Sequence, residues 1–182
     1  MTVHVGQAWL EGGLAVYEEH LYTEVVQQAL NEVTLQAQAR HIELQMVQAS
    51  SGQAMIRGDA VQIRRALINL INNAIKFAKP SVAPVIQIGC EELTGSQIPN
   101  TVIDKKKLYY HITVADNGIG FEPEHSDRIF MLFQRLHGRG EYNGTGIGLA
   151  ICKKIVENHR GYIFAEGNPE IGTTIIIYLP VA

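Results

Sequence analysis

Three glycines alternate with other residues in a stretch whose residue types and spacing could bind phosphate. The stretch Gly144–Ala150 reads G-T-G-I-G-L-A, and an apolar run at helical spacing follows it, which predicts a glycine loop that opens a helix. Free N–H groups at a helix N-terminus attract anions, and glycine lets a phosphate approach the backbone closely. The alternative is a glycine-rich turn without a ligand. The chain has neither the P-loop pattern nor the Rossmann pattern, so a phosphate site here needs another geometry. The candidate residues are Gly144, Thr145, Gly146, Gly148 and Leu149.

A second candidate site lies on a predicted helix between Asp59 and Ala78. Asn69, Asn73 and Lys76 are spaced i, i+4 and i+7, so they share one face of that helix. The ordinary interpretation is a solvated face, but asparagine is a poor helix former that needs a reason to stand in mid-helix. Its neutral amide oxygen suits a hard cation such as Mg²⁺, and a lysine one turn later could meet phosphate oxygens.

Asp116 begins a third candidate site, at the end of a predicted strand. It opens the sequence Asp116-Asn117-Gly118-Ile119-Gly120, which is also typical of an ordinary Asx-turn. An ionised carboxylate accepts hydrogen bonds and donates none. At the edge of a pocket it would accept the exocyclic amine of adenine and would oppose the oxygen that guanine offers there. Gly118 and Gly120 would let the backbone lie close to the base.

The segment Phe121–Asn143 separates the two glycine-rich sites. It is long, polar and without a clear pattern of its own, and it carries arginines that include Arg135 and Arg139. Such segments often form active-site lids. Phe130 and Phe133 are expected to anchor this one. The alternative is a plain surface helix and loop.

Composition narrows the class of protein. The chain has 182 residues, 46% of them hydrophobic and 18% charged, which is typical of one soluble domain with a single core. A formal net charge of −3 argues against a nucleic-acid-binding module. No run reaches the roughly 18 apolar residues of a membrane span, and the N-terminus lacks the pattern of a signal peptide. Two cysteines make neither a disulfide framework nor a metal cluster, which fits a reducing, cytoplasmic environment.

Periodicity predicts helices and strands in alternating groups. A helix capped by Thr23 is followed by a strand at Ile42–Met46 and, after a turn, by a short return strand at Ala54–Arg57. Asp59 is predicted to cap the asparagine helix, and Lys79-Pro80 to stop it. The later elements are expected at Val85–Cys90, Leu108–Ala115, Tyr162–Ala165 and Thr174–Leu179, with a hairpin loop at Thr94–Lys107 and the glycine-loop helix ending near His159. This order predicts an α/β sandwich with helices on one face of a mixed sheet.

Together these motifs resemble the conserved boxes of sensor histidine kinases. Asn69–Phe77 is similar to their N box, Asp116–Gly120 to the first glycine box, Ile129–Arg135 to the F box, and Gly144–Leu149 to the second glycine box. The ending Gly172-Thr173-Thr174 also fits, so the resemblance covers about residue 22 to the C-terminus. It implies the catalytic and ATP-binding domain of the GHKL superfamily. That domain has a Bergerat fold, a two-layer α/β sandwich with a mixed sheet of about five strands backed by three helices.

The resemblance also implies roles for individual residues. Asn73 would ligate Mg²⁺, Asn69 would lie beside the metal and the phosphates, and Lys76 would pair with phosphate. Phe77 would pack against the nucleotide, and Asp116 would recognise adenine. The other implied nucleotide-binding residues are Gly118, Gly120, Phe133, Gly144, Thr145, Gly146, Gly148, Leu149 and Thr173, the last as support for the aspartate. The implied catalytic residues are Asn69, Lys76 and Arg135, with Arg139 as the alternative to Arg135 at the γ-phosphate.

Two features depart from the family pattern. Relatives usually read His-Gly-Gly after the last long helix, whereas this chain has His159-Arg160-Gly161. If that position needs a positive φ, Arg160 costs about 1 kcal/mol. None of the seven histidines precedes an acidic residue, so the resemblance implies that the phosphoacceptor and its base lie on a dimerisation domain outside this chain. We therefore expect residues 1–20 to be a linker or the end of that domain, and residues 21–182 to be the catalytic domain.

The resemblance thus implies an ATP- and Mg²⁺-dependent protein-histidine kinase domain of a two-component system. The implied partners are its own dimerisation domain and a response regulator, without nucleic acid or membrane contact in this segment, although the parent protein could be membrane-anchored. Two alternatives stay open: a hydrolytic GHKL ATPase and a non-catalytic nucleotide-binding module. Hydrolytic relatives carry Glu where this chain has Asn69, and because an amide cannot act as a base for water, the kinase is favoured.

Overall fold

A mixed five-stranded sheet forms the body of the molecule. The computed structural model describes residues 17–20, 28–29, 31–33, 43–48, 55–99, 102–134 and 145–181. The strands are β1 (Tyr17–His20), β2 (Glu43–Gln48), β3 (Met55–Gly58), β4 (Val85–Thr94), β5 (Leu108–Asp116), β6 (Tyr162–Asn168) and β7 (Gly172–Pro180), and the helices are α1 (Ala60–Lys76) and α2 (Gly148–Asn158). Residues 28–29 and 31–33 are also helical. The sheet order is β2-β4-β5-β7-β6, with β2 parallel to β4 and the other neighbouring pairs antiparallel. The predicted α/β sandwich with a mixed sheet of about five strands is confirmed.

The helices cover one face of the sheet, and the main core lies between the helices and that face. Alternate residues of the strands point into it, among them Ile86 and Ile88 of β4 and Ile112 of β5, each with 1% of its surface exposed. Burying side chains of this size stabilises the fold by roughly 1.5–3 kcal/mol each. The residues that α1 buries recur at helical spacing and are Ile63, Ala66, Leu67, Leu70, Ile71, Ala74 and Ile75.

The other face of the sheet carries a second, smaller apolar cluster. Ile98 and Ile103, from the loop between β4 and β5, pack there with Tyr109 and Tyr178. Leu93 lies at the edge of this cluster. That packing explains why β4 continues to Thr94 instead of ending at Cys90 as predicted: at the far end of the hairpin, Tyr109 is buried on this face of the sheet and Tyr110 on the other. The predicted hairpin connection itself is confirmed by the antiparallel pairing of β4 with β5.

Helix α1 begins where the sequence predicts and ends slightly earlier. The Asp59 carboxylate accepts hydrogen bonds from the N–H groups of Val61 (2.9 Å) and Gln62 (3.2 Å), so it is the predicted N-cap. The helix ends at Lys76, before the predicted Ala78, with Phe77 as its C-cap. The Phe77 carbonyl instead accepts from the N–H of Ile119 at 3.0 Å, so tertiary structure and not Pro80 sets the end of the helix.

Helices α1 and α2 pack antiparallel, and His159 joins two of their ends. His159 is the C-cap of α2, and its Nε2 accepts a hydrogen bond from the backbone N–H of Asp59 at 2.9 Å. The other ring nitrogen lies 2.7 Å from the Ile155 carbonyl, so Nδ1 carries the proton and the ring is the neutral tautomer. A Cβ on Gly58 would overlap this ring, so the close approach of the two elements requires glycine there.

The pairing of the N-terminal strands differs from the prediction. Strand β1, which the sequence pattern did not predict, pairs antiparallel with β3, with Tyr17 opposite Gly58. The predicted return strand at Ala54–Arg57 therefore exists as β3, but β2 pairs with β4 and not with it. The predicted Thr23 cap lies outside the described residues. The proposed domain boundary at residue 20 stays a prediction.

The junction after α2 has the expected strained backbone. Arg160 has φ +57°, so the position that carries the second residue of His-Gly-Gly in relatives does need the left-handed conformation. Arginine there costs about 1 kcal/mol relative to glycine. Within the described ranges, no helix is both long enough and apolar enough to cross a membrane.

Candidate functional site

Asp116, the last residue of β5, forms one end of the candidate site. Its Oδ1 accepts from the backbone N–H groups of Gly118 at 2.9 Å and Thr173 at 3.3 Å. Burial raises the pKa of the Asp116 carboxyl, whereas these two N–H donors and the positive charge of Lys79 lower it. Both bonds go to Oδ1. Among the described residues Oδ2 has no hydrogen-bond partner, so the side chain makes the Asx-turn and still offers an acceptor to a ligand.

The first glycine box, Asp116–Gly120, packs between the end of α1 and the β6–β7 turn. A Cβ on Gly118 would lie 2.5 Å from the Phe77 carbonyl oxygen, and one on Gly120, which has φ +66°, would overlap the Asn168 carbonyl. These glycines are therefore required by the protein's own packing, whether or not a base also lies against them. Asn117 fixes the loop from its other side, because its Oδ1 accepts from the N–H of Val85 at 2.9 Å.

The N-terminus of α2 forms the other end of the candidate site. Ile147 is its N-cap and makes no side-chain capping bond, so the first N–H groups of the helix have no side-chain acceptor at the cap. A Cβ built on Gly148 would meet only the Asn73 amide nitrogen, 4.0 Å away, within contact range. The Asn73 side chain of α1 therefore lies beside the start of α2, and the other space around Gly148 is open. That arrangement suits an anion with a cation beside it.

Asn69 lies one turn before Asn73 and contacts the interior of α2. Its side chain forms a hydrogen bond with the sulfur of Cys152, and the Cys152 thiol lies 3.5 Å from the Ala66 carbonyl oxygen, to which it donates. Burial raises the pKa of the Cys152 thiol to about 12, so the group stays protonated. The pair thus contains a neutral amide and a neutral thiol, and neither is a base.

Lys76 and Phe77 meet at the end of α1. The Lys76 ammonium lies 4.6 Å from the centre of the Phe77 ring, a cation–π contact. The two residues are half-buried. They lie on the same helix end as Asn73 and beside the loop of Asp116, so the end of α1 connects the two halves of the site.

The described part of the expected lid, residues 121–134, is anchored by one of the two predicted phenylalanines. It contains one-turn helices at Pro123–His125 and Arg128–Phe130, and Phe130 is buried. The prediction that Phe133 also anchors the segment is wrong: 75% of its surface is exposed. The left-handed backbone of this residue, φ +61°, turns its side chain away from the core while its N–H donates to the Gly146 carbonyl at 3.0 Å.

The second glycine box is described from Thr145 onward. Thr145 is exposed, Gly146 has φ +71°, and Leu149 packs on the edge of the core. Gly144, Arg135 and Arg139 lie outside the described residues, as does the rest of the expected lid to Asn143. Their predicted roles stay predictions.

The sequence did not predict that the β6–β7 turn borders the candidate site. The turn between β6 and β7 lies against the first glycine box, and the Glu170 N–H donates to the Ile119 carbonyl at 2.9 Å. The Lys79 ammonium donates to the Glu170 carbonyl and so crosses from the α1–β4 connection to this turn. The segment Gly167–Gly172, which is dense in turn-forming residues and directly precedes Thr173, was the available signal.

Comparison with known proteins identifies the family and the fold. Residues 58–182 match the family described as histidine kinase-, DNA gyrase B-, and HSP90-like ATPase. Cyanobacterial phytochrome A of Nostoc sp. is 45% identical over 126 residues, which is 69% of this chain but only 15% of that relative.

Two solved structures share the fold at lower identity. Full-length ShkA in complex with AMPPNP has a TM-score of 0.74 at 22% identity, covering 93% of this chain and 32% of that one. Histidine kinase ThkA in complex with the response regulator TrrA has a TM-score of 0.68 at 23% identity, covering 92% and 42%. The family match extends from β3 to the C-terminus and contains all three candidate motifs. The chain therefore belongs to the histidine kinase-, DNA gyrase B- and HSP90-like ATPase family, and it has the fold of a histidine kinase catalytic domain.

Proposed function

We propose that this chain is the catalytic domain of a sensor histidine kinase and transfers the γ-phosphoryl group of Mg·ATP to a histidine on a dimerisation domain. The proposal rests on one observation: the two ends of the candidate site, which meet at the end of α1, offer opposite hydrogen-bonding groups. Asp116 offers a half-buried acceptor at one end, and Asn73 faces the open N-terminus of α2 at the other. A purine with an exocyclic amine and a phosphate chain presents groups of opposite hydrogen-bonding character to these two ends.

The base would be recognised by the free oxygen of Asp116. Adenine donates from its exocyclic amine, whereas guanine presents an oxygen that a carboxylate repels. Gly118, Gly120 and Thr173 support the role by holding the aspartate and its loop, and Phe77 would pack against the nucleotide.

The phosphate chain would lie at the start of α2. The backbone of Gly144–Gly148 and the first N–H groups of the helix would donate to its oxygens, with Thr145 and Leu149 in the same turn. Lys76 would add a positive charge, which it can do by leaving the Phe77 ring that it now covers. Arg135 would contact the γ-phosphate, and Phe133 would lie over the bound nucleotide.

Asn73 has the character expected of a Mg²⁺ ligand. It is a half-buried neutral amide beside an anion-binding helix end, and Mg²⁺ usually takes few protein ligands together with phosphate oxygens and water. Within the described ranges, no cluster of three His, Cys, Asp or Glu side chains offers a metal site. When bound, Mg²⁺ would neutralise charge on the phosphates.

Asn69 favours phosphoryl transfer over hydrolysis. A hydrolytic enzyme needs a base to activate water, and this position holds an amide hydrogen-bonded to a thiol. The catalytic base would be supplied by the acceptor domain. A response regulator would receive the phosphoryl group afterwards. The proposed location of this segment is cytoplasmic.

Phosphotransfer with γ-labelled ATP tests the proposal. We expect the 182-residue chain to bind Mg·ATP but not to label itself, and a separately added helical hairpin with an acceptor histidine to become labelled. The transfer should be slow, because a tether that would supply roughly millimolar effective concentration is missing. Asp116→Asn is the control that should remove transfer. Stable labelling of the chain alone, at one of its own histidines, would contradict the proposal, as would labelling that Asp116→Asn leaves unchanged.

A further inference from the structure

Lys79 connects the α1–β4 segment to the β6–β7 turn, next to the Asp116 end of the candidate site. It lies in the connection between α1 and β4, after the helix has ended, and its ammonium donates to the backbone carbonyl of Glu170 in the β6–β7 turn. The Glu170 N–H in turn donates to Ile119, two residues after Asn117 in the Asp116 loop. Lys79 therefore lies beside the turn that contacts the Asp116 loop and leads into Thr173, whose N–H donates to Asp116.

Lys79 also supplies the charge that acts on Asp116. Of the elements packed against Asp116, the β7 and β4 strands present Thr173 and Ile86, which do not titrate. The β6–β7 turn presents Glu170, whose carbonyl holds the lysine. Burial raises the pKa of the Asp116 carboxyl, and Lys79 is the ionisable side chain, among those described, whose charge lowers it.

We propose that Lys79 is a specificity-determining residue for the nucleotide base: it keeps Asp116 an acceptor and so makes the pocket select 6-aminopurines over 6-oxopurines. The inference rests on the proposed function, because it assumes that Asp116 reads the base. Its chemical basis is that a carboxylate only accepts, whereas a protonated carboxyl can donate to the 6-oxygen of guanine. Without the lysine, the choice between the two purines should weaken as soon as the solution becomes mildly acidic.

The test measures binding of adenosine and guanosine from about pH 5 to about pH 8.5, by calorimetry or ligand-observed NMR. Nucleosides are the probes because they carry no phosphate that a lysine could attract directly. As the pH is lowered, Lys79→Met should begin to lose adenosine affinity at a higher pH than the wild type does. Between these two pH values the variant should bind adenosine roughly two- to fivefold more weakly than the wild type, which is the contribution of a partly exposed charge pair. Its preference for adenosine over guanosine should be smaller in the same range.

Two further variants isolate the charge. Lys79→Arg keeps it and should reproduce the wild-type pH profile. Lys105→Met is the matched control, because Lys105 also donates to a backbone carbonyl, that of Ile98, but on the opposite face of the sheet. It should leave nucleoside binding unchanged.

Distinct results would overturn distinct claims. If Lys79→Met follows the wild-type pH profile, or weakens adenosine equally at every pH, the lysine is at most a structural bridge and the inference is wrong. If Lys79→Met weakens ADP but not adenosine, the lysine serves the phosphates instead. Failure of the wild-type chain to bind either adenosine or ADP at any pH would overturn the proposed function itself.

Discussion

Replacing Asp116 by asparagine should separate nucleotide recognition from folding. The carboxylate uses Oδ1 to accept from the N–H groups of Gly118 and Thr173, at 2.9 and 3.3 Å. An asparagine must keep its oxygen at that place, because the flipped amide would set an NH₂ group against two N–H donors. The amide nitrogen would then occupy the position of Oδ2. Asp116→Asn therefore turns the acceptor for the base into a donor, with almost no change of shape.

The expected loss follows from the bond that disappears. A hydrogen bond to a charged group contributes about 1.5–3 kcal/mol, so the variant should bind ADP and ATP about 10- to 150-fold more weakly. The free protein should not lose stability. Burial raises the pKa of Asp116 above its unfolded value, so its contribution to stability is present at low pH and is lost as the pH rises through the folded pKa. At neutral pH the neutral amide should make the free protein at least as stable.

Calorimetry with ADP, ATP and GTP, together with thermal unfolding of the free proteins, measures both effects. The wild-type affinity for ADP should fall as the pH drops through the raised pKa of Asp116, whereas the variant should show no such fall. Asp104→Asn, in the β4–β5 loop on the other face of the sheet, is the matched control. ADP binding to Asp116→Asn within about threefold of wild type would refute the argument, and so would equal wild-type affinities for GTP and ATP.

Three further predictions concern the rest of the site and its support. Asn73→Ala should weaken nucleotide binding by about tenfold or more with Mg²⁺ and much less without it; calorimetry in both conditions decides, and equal losses would make Asn73 an ordinary helix residue. Gly58→Ala should lower the free energy of unfolding by about 1–3 kcal/mol, because the added methyl group overlaps the His159 ring. Gly148→Ala adds its methyl group in open space, so it should keep the free energy of unfolding and weaken phosphate binding. Denaturant unfolding measures the stability of both variants, and calorimetry measures their binding. Backbone amides of residues 121–134 should exchange faster with solvent in the free protein than with ADP bound, and strong protection without nucleotide would identify a fixed loop.

Local signals predicted the parts of the site that depend on neighbouring residues. Asp59 as an N-cap predicted the start of α1, and the i, i+4 spacing of Asn69 and Asn73 predicted that they share a face of it. The sequence Asp116–Gly120 likewise predicted a turn after a strand, and the Asx-turn hydrogen bond is present. In each case the physical cause lies within a few residues, so periodicity and capping rules were sufficient.

Contacts between distant segments could not be predicted in this way. Strand β1 pairs with β3 across nearly forty residues of sequence, and no local pattern specifies the partner of a four-residue strand. The bridge from Lys79 to Glu170 joins residues 91 positions apart. Phe133 was expected to anchor the lid because it is hydrophobic, but its left-handed backbone and the hydrogen bond to Gly146 decide its exposure instead.

The strand β2 has a practical consequence for anyone who trims this protein. The family match begins at Gly58, but β2 is the edge strand that covers β4, and Ala29 and Val33 are buried in the main core with 0% and 1% exposed. A version cut at the family boundary would uncover the hydrogen-bonding edge of β4, which can then pair with a second molecule. It would also open cavities above α1. We therefore expect such a shortened protein to aggregate, and expression should start before Tyr17 so that both N-terminal strands are kept.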